Sequence, residues 1–470
     1  MQLPWFIRRI FSTKYLIKAK QVAGNIPTSK DAYLSTINIA YPAVIEMVSM
    51  ALMGMLDTIM VGRIGPHAVA AVGLVAQPRM IFFSLFFAVN ISVTALVARY
   101  KGAKDQATAR KVLRMAIWVG TIFGALFTAL AVFFAEPLMR FAGAQYDTIE
   151  HATAFFRISG FGIIFVALSG AICAAQRAAG NTKLTMKVNI VANVVKVIAN
   201  FLLIEGRFGF PRLEVGGAAV SLVLANVVAF VLAAASLFQK DSFLYISIKD
   251  SWKPDIPVLR SLGKITSGGL VEQVGLRVGF FLYALIVANL GTADFASHQI
   301  GMQLMNLSFT FADGIAIAAT ALVGQNLGLK RPDLSVMYGK IGMRLAIVVS
   351  IGLSIVVVLV RNHFPMLFTT DLSIIATSTN LMLIMAAILP IMMAQIVLAG
   401  TLRGSGDTRF VAMTMIISVG ILRPTAGFLL TYTFGLGLMG AWITIIIDQG
   451  ARLIMLGIRF SRGKWLKTNI

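Results

Sequence analysis

The stretch AAVSLVLANVVAFVLAAASLF, residues 218–238, holds 21 residues and no charge. At 1.5 Å of rise per residue, about 20 apolar residues carry a helix across a hydrocarbon core. This stretch is therefore a complete span by itself. Blocks of the same kind recur, among them AIWVGTIFGALFTALAVFFA at 116–135 and RLAIVVSIGLSIVVVLV at 344–360. Of the 470 residues 58% are hydrophobic and only 13% charged, with a mean hydropathy of +0.84. Lipid obliges each span to satisfy its own backbone hydrogen bonds. The expected class is an all-α polytopic membrane protein with about twelve transmembrane helices.

The net charge of +22 suggests nucleic acid until it is located. With the apolar blocks as spans, Lys and Arg collect in alternate connections, such as RYKGAKDQATARKVLR, KRPDLSVMYGKIGMR and the two tails. The other connections hold only Arg63, Arg140, Arg207, Arg212 and Arg361. That asymmetry is the positive-inside signature: both termini are expected in the cytoplasm, the spans in the inner (plasma) membrane, and their number even. Anionic lipid, not nucleic acid, is the natural neighbour of the basic loops. Residues 1–31 mix Trp5, Phe6 and Phe11 with Arg8, Arg9 and Lys14 and lack a signal-peptide core, which predicts a cytoplasmic, interfacial amphipathic segment.

Sliding the chain by 226 positions lays Glu46 on Glu272, Gly65 on Gly291, Gln77 on Gln303, TALV 94–97 on TALV 320–323, and QRAAGNT 176–182 on LRGSGDT 402–408. A constant offset over most of a half indicates two homologous halves of six spans each. Six is even, so the repeats run parallel, as in transporters whose halves rock about a shared site. The expected domains are a six-helix bundle at 32–238, a polar linker at 239–264 with Pro254 and Pro257, a second bundle at 265–458, and a cytoplasmic tail at 459–470.

A charge at the bilayer centre costs about 2.5–3.5 kcal/mol on insertion scales, so each ionisable residue inside a span is a functional candidate. Arg79, Arg157 and Arg452 are read as snorkelling from span ends, and Asp448 and Arg452, spaced i, i+4, as satisfying each other at a span end. Glu46 and Asp57 differ. Eleven residues at about 100° each come within about 20° of three turns, which puts both carboxylates on one helix face about 16 Å apart. Such an acidic stripe marks a wet cavity where protons exchange or Na⁺ binds. A buried ammonium needs a counter-ion, so Lys196 is expected to face Asp57 or Glu46, with Asn193 and Asn200 on a similar face as cation or drug ligands. In the second half Glu272 matches Glu46, Tyr283 stands where Asp57 would fall, and Arg277 is within pairing range of Glu272 or Asp313. Asp57, Glu46, Lys196 and Asn200 are thus the candidates for cation coupling, and Asn193, Glu272, Gln303, Asp313, Tyr283 and Arg277 for the substrate cavity.

Other chemistries lack their residues. Cys173 is alone and sits among small apolar neighbours, as a packing residue does. The four histidines show no ligand spacing, and neither HExxH nor an aspartate-rich metal motif nor a Ser/His pair appears. No metal, no cofactor and no enzymatic activity is expected. Methionine clusters such as LMLIMAAILPIMMAQ suit packing and promiscuous cavities, and Pro42 and Pro390 can kink their helices.

Several segments resemble the multidrug and toxic compound extrusion (MATE) family: MGMLDTIMVGRIGPHAVAAVGL (53–74), GRFGFPRLEVGGAAV (206–220), LGTADFASHQIGMQLMNLSF (290–309), TALVGQNLG (320–328) and GTLRGSGDTRF (400–410). The resemblance covers nearly the whole chain. It implies a pair of six-helix bundles exporting organic cations and amphipathic drugs in exchange for H⁺ or Na⁺, with Asp57 at the first-span cation site and Glu272 near the seventh-span acid. Lys196 departs from the family's fifth-span pattern, and Met392 stands where the family often has an acid. An ammonium in the cation site favours H⁺ over Na⁺, with Asp57 alternating between Lys196 and a proton. The chain is expected to work as a monomer. A lipid-linked saccharide flippase is the alternative, calling for a more basic cavity, and a membrane-embedded enzyme the remoter one.

Overall fold

The computed structural model describes residues 12–17, 22–143, 146, 148–239, 242–247 and 250–468, and among these there is no strand. The helices are α1 (Ser29–Gly62), α2 (Pro66–Gly102), α3 (Gln106–Phe133), α4 (Ala135–Phe141), α5 (Ile149–Gly160), α6 (Ile163–Ala178), α7 (Thr182–Leu203), α8 (Glu214–Ala235), α9 (Ile256–Ala288), α10 (Thr292–Gly328), α11 (Pro332–Val360), α12 (Leu372–Gly404), α13 (Thr408–Thr433) and α14 (Gly437–Ser461). Among the described residues eleven are long and apolar enough to cross a membrane, or twelve when α5 and α6, which meet at a 46° bend, form one span. This matches the architecture expected from hydropathy.

The repeat is written into the backbone. Both α2 and α10 run 37 residues, and their first residues, Pro66 and Thr292, stand 226 apart. The left-handed positions recur at the same offset: Lys104 (φ 59°) with Lys330 (58°), and Gly180 (91°) with Gly406 (86°). At the two glycines the chain reverses out of its helix and returns two amides to the last turn. Gly180 N–H donates to Arg177 O and Asn181 N–H to Gln176 O; Gly406 N–H donates to Arg403 O and Asp407 N–H to Leu402 O. These close the carbonyls that a helix C-terminus leaves open.

The chain forms two compact units, residues 45–266 and residues 1–44 with 267–470. Both boundaries fall inside helices, between Val44 and Ile45 in α1 and between Thr266 and Ser267 in α9. In the unit 45–266 a core of Val75, Phe86, Met139, Phe156 and Ala219 lies between α2, α4, α5 and α8. The polar stretch before α9 lies along α3: Gln106 Nε2 donates to Phe243 O (2.9 Å), Trp118 Nε1 to Trp252 O (2.9 Å), and Lys111 pairs with Asp255 (3.1 Å). Asp255 lies outside the spans, and the bond from Lys111, with the Val258 amide, holds its carboxyl below the usual range.

In the other unit α12 is central, burying Met385, Ile388, Leu389 and Met392 against Trp442 and Ile445 of α14. Gly400 and Gly404 bring α12 close to Ala316 and Thr320 of α10, where Thr320 Oγ1 donates to Gly400 O at 2.8 Å. Small residues one turn apart allow that approach. Leu16 and Ile17 enter a core with Met337 and Leu402, Lys340 donates to Leu16 O (2.7 Å), and Arg331 donates to Asn25 O (3.0 Å). The expected amphipathic segment falls, for residues 1–11 and 18–21, outside the described residues.

Candidate functional site

Within the unit 45–266, one face of α1 meets one face of α7. Glu46, buried, accepts from Thr185 (2.8 Å), Asn189 (2.8 Å) and Arg177 at the end of α6 (2.9 Å). Asp57 accepts from Lys196 and from Asn200 Nδ2 (2.9 Å). The register is regular: each carboxylate takes its α7 donors 139 and 143 residues further on. Thr185, Asn189, Lys196 and Asn200 follow at steps of four, seven and four, which keeps them within about 60° of arc on α7. Two parallel polar stripes thus face each other, and only the α1 stripe is acidic.

The two rungs differ in exposure. Glu46 is 1% exposed and its oxygens have three donors. Asp57 and Lys196 keep 23% and 18% of their side chains exposed, so the outer rung is the less enclosed of the two. Asn200 Oδ1 beside Asp57 and Asn193 Nδ2 on the preceding turns are buried without a hydrogen-bond partner among the described residues. Arg79 is half-buried over the Phe83 ring (5.8 Å), and Arg157 is exposed on α5. Cys173 is buried.

In the other unit Glu272 pairs with Arg403. This is the counterpart of Glu46 with Arg177, both residues shifted by 226. The supporting Thr185 and Asn189 become Val411 and Met415 there. Asp313 is exposed in mid-α10, within electrostatic reach of Arg403, and Gln303 and Arg277 are exposed on α10 and α9. Tyr283 is buried and donates its hydroxyl to Ala441 O at 2.9 Å.

Asp448 and Arg452 do pair across one helical turn, but their expected place at a span end is corrected. Both are buried in the middle of α14, and Arg452 does not snorkel. Asp448 Oδ2 accepts from Arg452 (2.6 Å) and from Arg423 Nε (2.9 Å) and Nη2 of α13, while Oδ1 takes the Ser418 hydroxyl. Two partners from a different helix hold the cluster in the core, which i, i+4 spacing alone could not disclose. Arg177, Thr185, Asn189, Arg403 and Ser418 escaped the sequence reading. The first and fourth carried a signal, since they repeat at the offset of the two glutamates, and Thr185 and Asn189 share the helix face of Lys196. Among the described residues no His/Cys/Asp/Glu group has the arrangement of a metal site.

Two repeats of apolar helices with ion pairs buried inside them make this a polytopic helical membrane protein, and the family match gives its class, a transporter and not an enzyme. The MatE family profile matches residues 42–202 and 270–429, one match per half, and the chain belongs to the MatE family. It is similar to the probable multidrug resistance protein NorM of Thermotoga maritima, at 27% identity over 92% of each chain. It is also similar to the multidrug resistance protein PmpM of Pseudomonas aeruginosa, at 26% identity over 91% of this chain and 90% of that one. Among solved structures, an outward-facing multidrug resistance MATE family transporter of the MOP superfamily superposes with a TM-score of 0.84, at 20% identity over 92% of this chain and 97% of that one.

Proposed function

We propose that this protein is a secondary active exporter of cationic and amphipathic drugs or metabolites, driven by H⁺ entering through the Asp57–Lys196 rung. The observation that carries the reading is the partly exposed carboxylate of Asp57 in a span, held by one ammonium and one amide. Lys196 acts as a built-in cation. When a proton neutralises Asp57, the ammonium loses its counter-ion and the pair separates; when the proton leaves, the pair re-forms. A drug cation and a proton compete for the same oxygen, which is the requirement for exchange. Asn200 Oδ1, buried without a donor among the described residues, is an acceptor beside that oxygen for the incoming group.

The names of the relatives, multidrug resistance proteins, support drug export, and the tethered ammonium supports H⁺ over Na⁺ because it already fills the place of a metal cation beside Asp57. Glu46, enclosed by three donors, is assigned to holding α1 against α6 and α7. The polytopic chain is placed in the inner membrane with both termini cytoplasmic, on the distribution of Lys and Arg.

The test is ethidium or norfloxacin transport by proteoliposomes under separately imposed pH and Na⁺ gradients. Transport on the pH gradient alone, lost in Asp57→Asn, is expected. Full transport on Na⁺ alone would sink the H⁺ assignment.

A further inference from the structure

The helix carrying Lys196 has a counterpart in the second half, α13, whose backbone is π-helical at two places, the later of which, Leu429–Thr433, lies after Arg423. Residues Ile416–Leu422 of α13 are π-helical, and a π turn accommodates one extra residue. Beyond it the offset is 227: FLL at 201–203 falls on FLL at 428–430, and Lys196 falls on Arg423. The cation of the fifth span is therefore present in both halves. Asp57 corresponds at the offset of 226 to Tyr283, and the Arg423 guanidinium lies over the Tyr283 ring at 5.5 Å, with Phe280 at 5.0 Å. The same two positions meet in each unit. The carboxylate has moved from the first span to the sixth, where Asp448 receives Arg423.

We propose that Arg423–Asp448 is a second copy of the Asp57–Lys196 coupling site, and that Arg452, which has no cationic counterpart in the first half, locks it out of proton exchange. At the offset of 226, Arg452 falls on Asn226. The two sites differ as the proposal requires. Asp57 is bonded by one cation, the Lys196 ammonium, able to release its proton, with Arg79 of α2 in electrostatic reach but not bonded to it, and is 23% exposed. Asp448 has two guanidiniums, which keep their protons, and is 0% exposed, as Arg423 and Arg452 are 3% and 5%. The other groups facing the cluster leave it so. Ser418 of α13 donates to Asp448, Glu272 of α9 lies within electrostatic reach of Arg452 but is bound to Arg403, and His298 of α10 lies within reach of Arg423 and against Tyr283 (5.8 Å between rings). The transporter thereby uses one half for coupling and holds the other in a fixed charge state. Arg452 is a positioning residue that sets the proton stoichiometry.

This rests on the reading of Asp57 as the coupling site, and the experiment separates the two. Proton uptake by the purified full-length protein in nanodiscs is titrated from about pH 8 to about pH 4 for the parent, Arg452→Gln, Arg452→Gln/Asp448→Asn and Asp57→Asn. Arg452→Met replaces the glutamine variant if that is not monodisperse. Arg452→Gln leaves a single Arg423–Asp448 pair and is expected to take up about one proton more than the parent, a surplus that Asp448→Asn abolishes. Superimposable curves for the parent and Arg452→Gln, or a surplus that survives in the double variant, would overturn the proposal. If Asp57→Asn fails to lower uptake by one proton, the coupling reading falls while the Arg452 comparison still decides the lock.

Discussion

Asp57 and Glu46 stand eleven residues apart on one helix face with opposite surroundings, and the difference decides what each does. Glu46 has three donors and almost no exposure, so removing its charge leaves Arg177, largely enclosed at 16% exposure, without its counter-ion. Breaking a buried pair by taking one partner costs about 3–5 kcal/mol. Glu46→Gln is expected to lower thermal stability by an amount of that order while leaving the substrate profile unchanged, which a thermal-shift assay beside a transport assay would show. Asp57→Asn is expected to do the reverse, keeping the fold and reducing pH-driven efflux roughly 10²-fold, the range of a lost proton-transfer group. A parent-like efflux rate would contradict that. The common face and the candidacy of Lys196 were legible because helical periodicity is a property of the chain. Which carboxylate Lys196 meets was not, because a register between helices 139 residues apart is set by packing.

At the scale of elements, the repeat predicts matched costs. Gly180 and Gly406 close α6 and α12 with φ of 91° and 86°. An L side chain in left-handed backbone costs about 1–2 kcal/mol. Alanine at either position should lower stability by about that much, and the double variant by the sum, as for distant sites. A large inequality in thermal unfolding would show that the two turns are not equivalent. Gly404 abuts the backbone of Thr320, so Gly404→Val should cost more than Gly404→Ala as α10 and α12 are forced apart. The strap before α9 gives a pH prediction. Asp255, whose carboxyl is held low by Lys111, stabilises the docked strap fully above the unfolded value of about 3.9, and that contribution is lost as pH falls through the lowered folded value. The fluorescence of Trp118 and Trp252, joined through a backbone hydrogen bond, should be constant from about pH 8 to about pH 5 and change only below about pH 4. The π turn at Ile416–Leu422 of α13 was illegible in the sequence, since one inserted residue is hidden when FG at 208 and FG at 434 restore the offset of 226.

For the whole molecule, exchange of one monovalent drug cation for one proton moves no net charge, whereas a second proton would add about 2.3 kcal/mol per 100 mV of membrane potential. A chain with a single exchanging site should therefore export a monovalent drug at a rate indifferent to a potassium–valinomycin potential, and a strong dependence would require a second coupling ion. The class, a count of about twelve spans, the internal repeat and the acidic face of the first span were legible in the sequence alone, because hydrophobic length and helical period are local and additive along the chain. The tertiary structure decided the pairings: Glu46 with Arg177, Asp57 with Lys196, Glu272 with Arg403, and Asp448 with two arginines instead of one. A buried charge takes whichever opposite charge packing brings within reach, and that depends on the register and rotation of separate helices, which no local pattern contains.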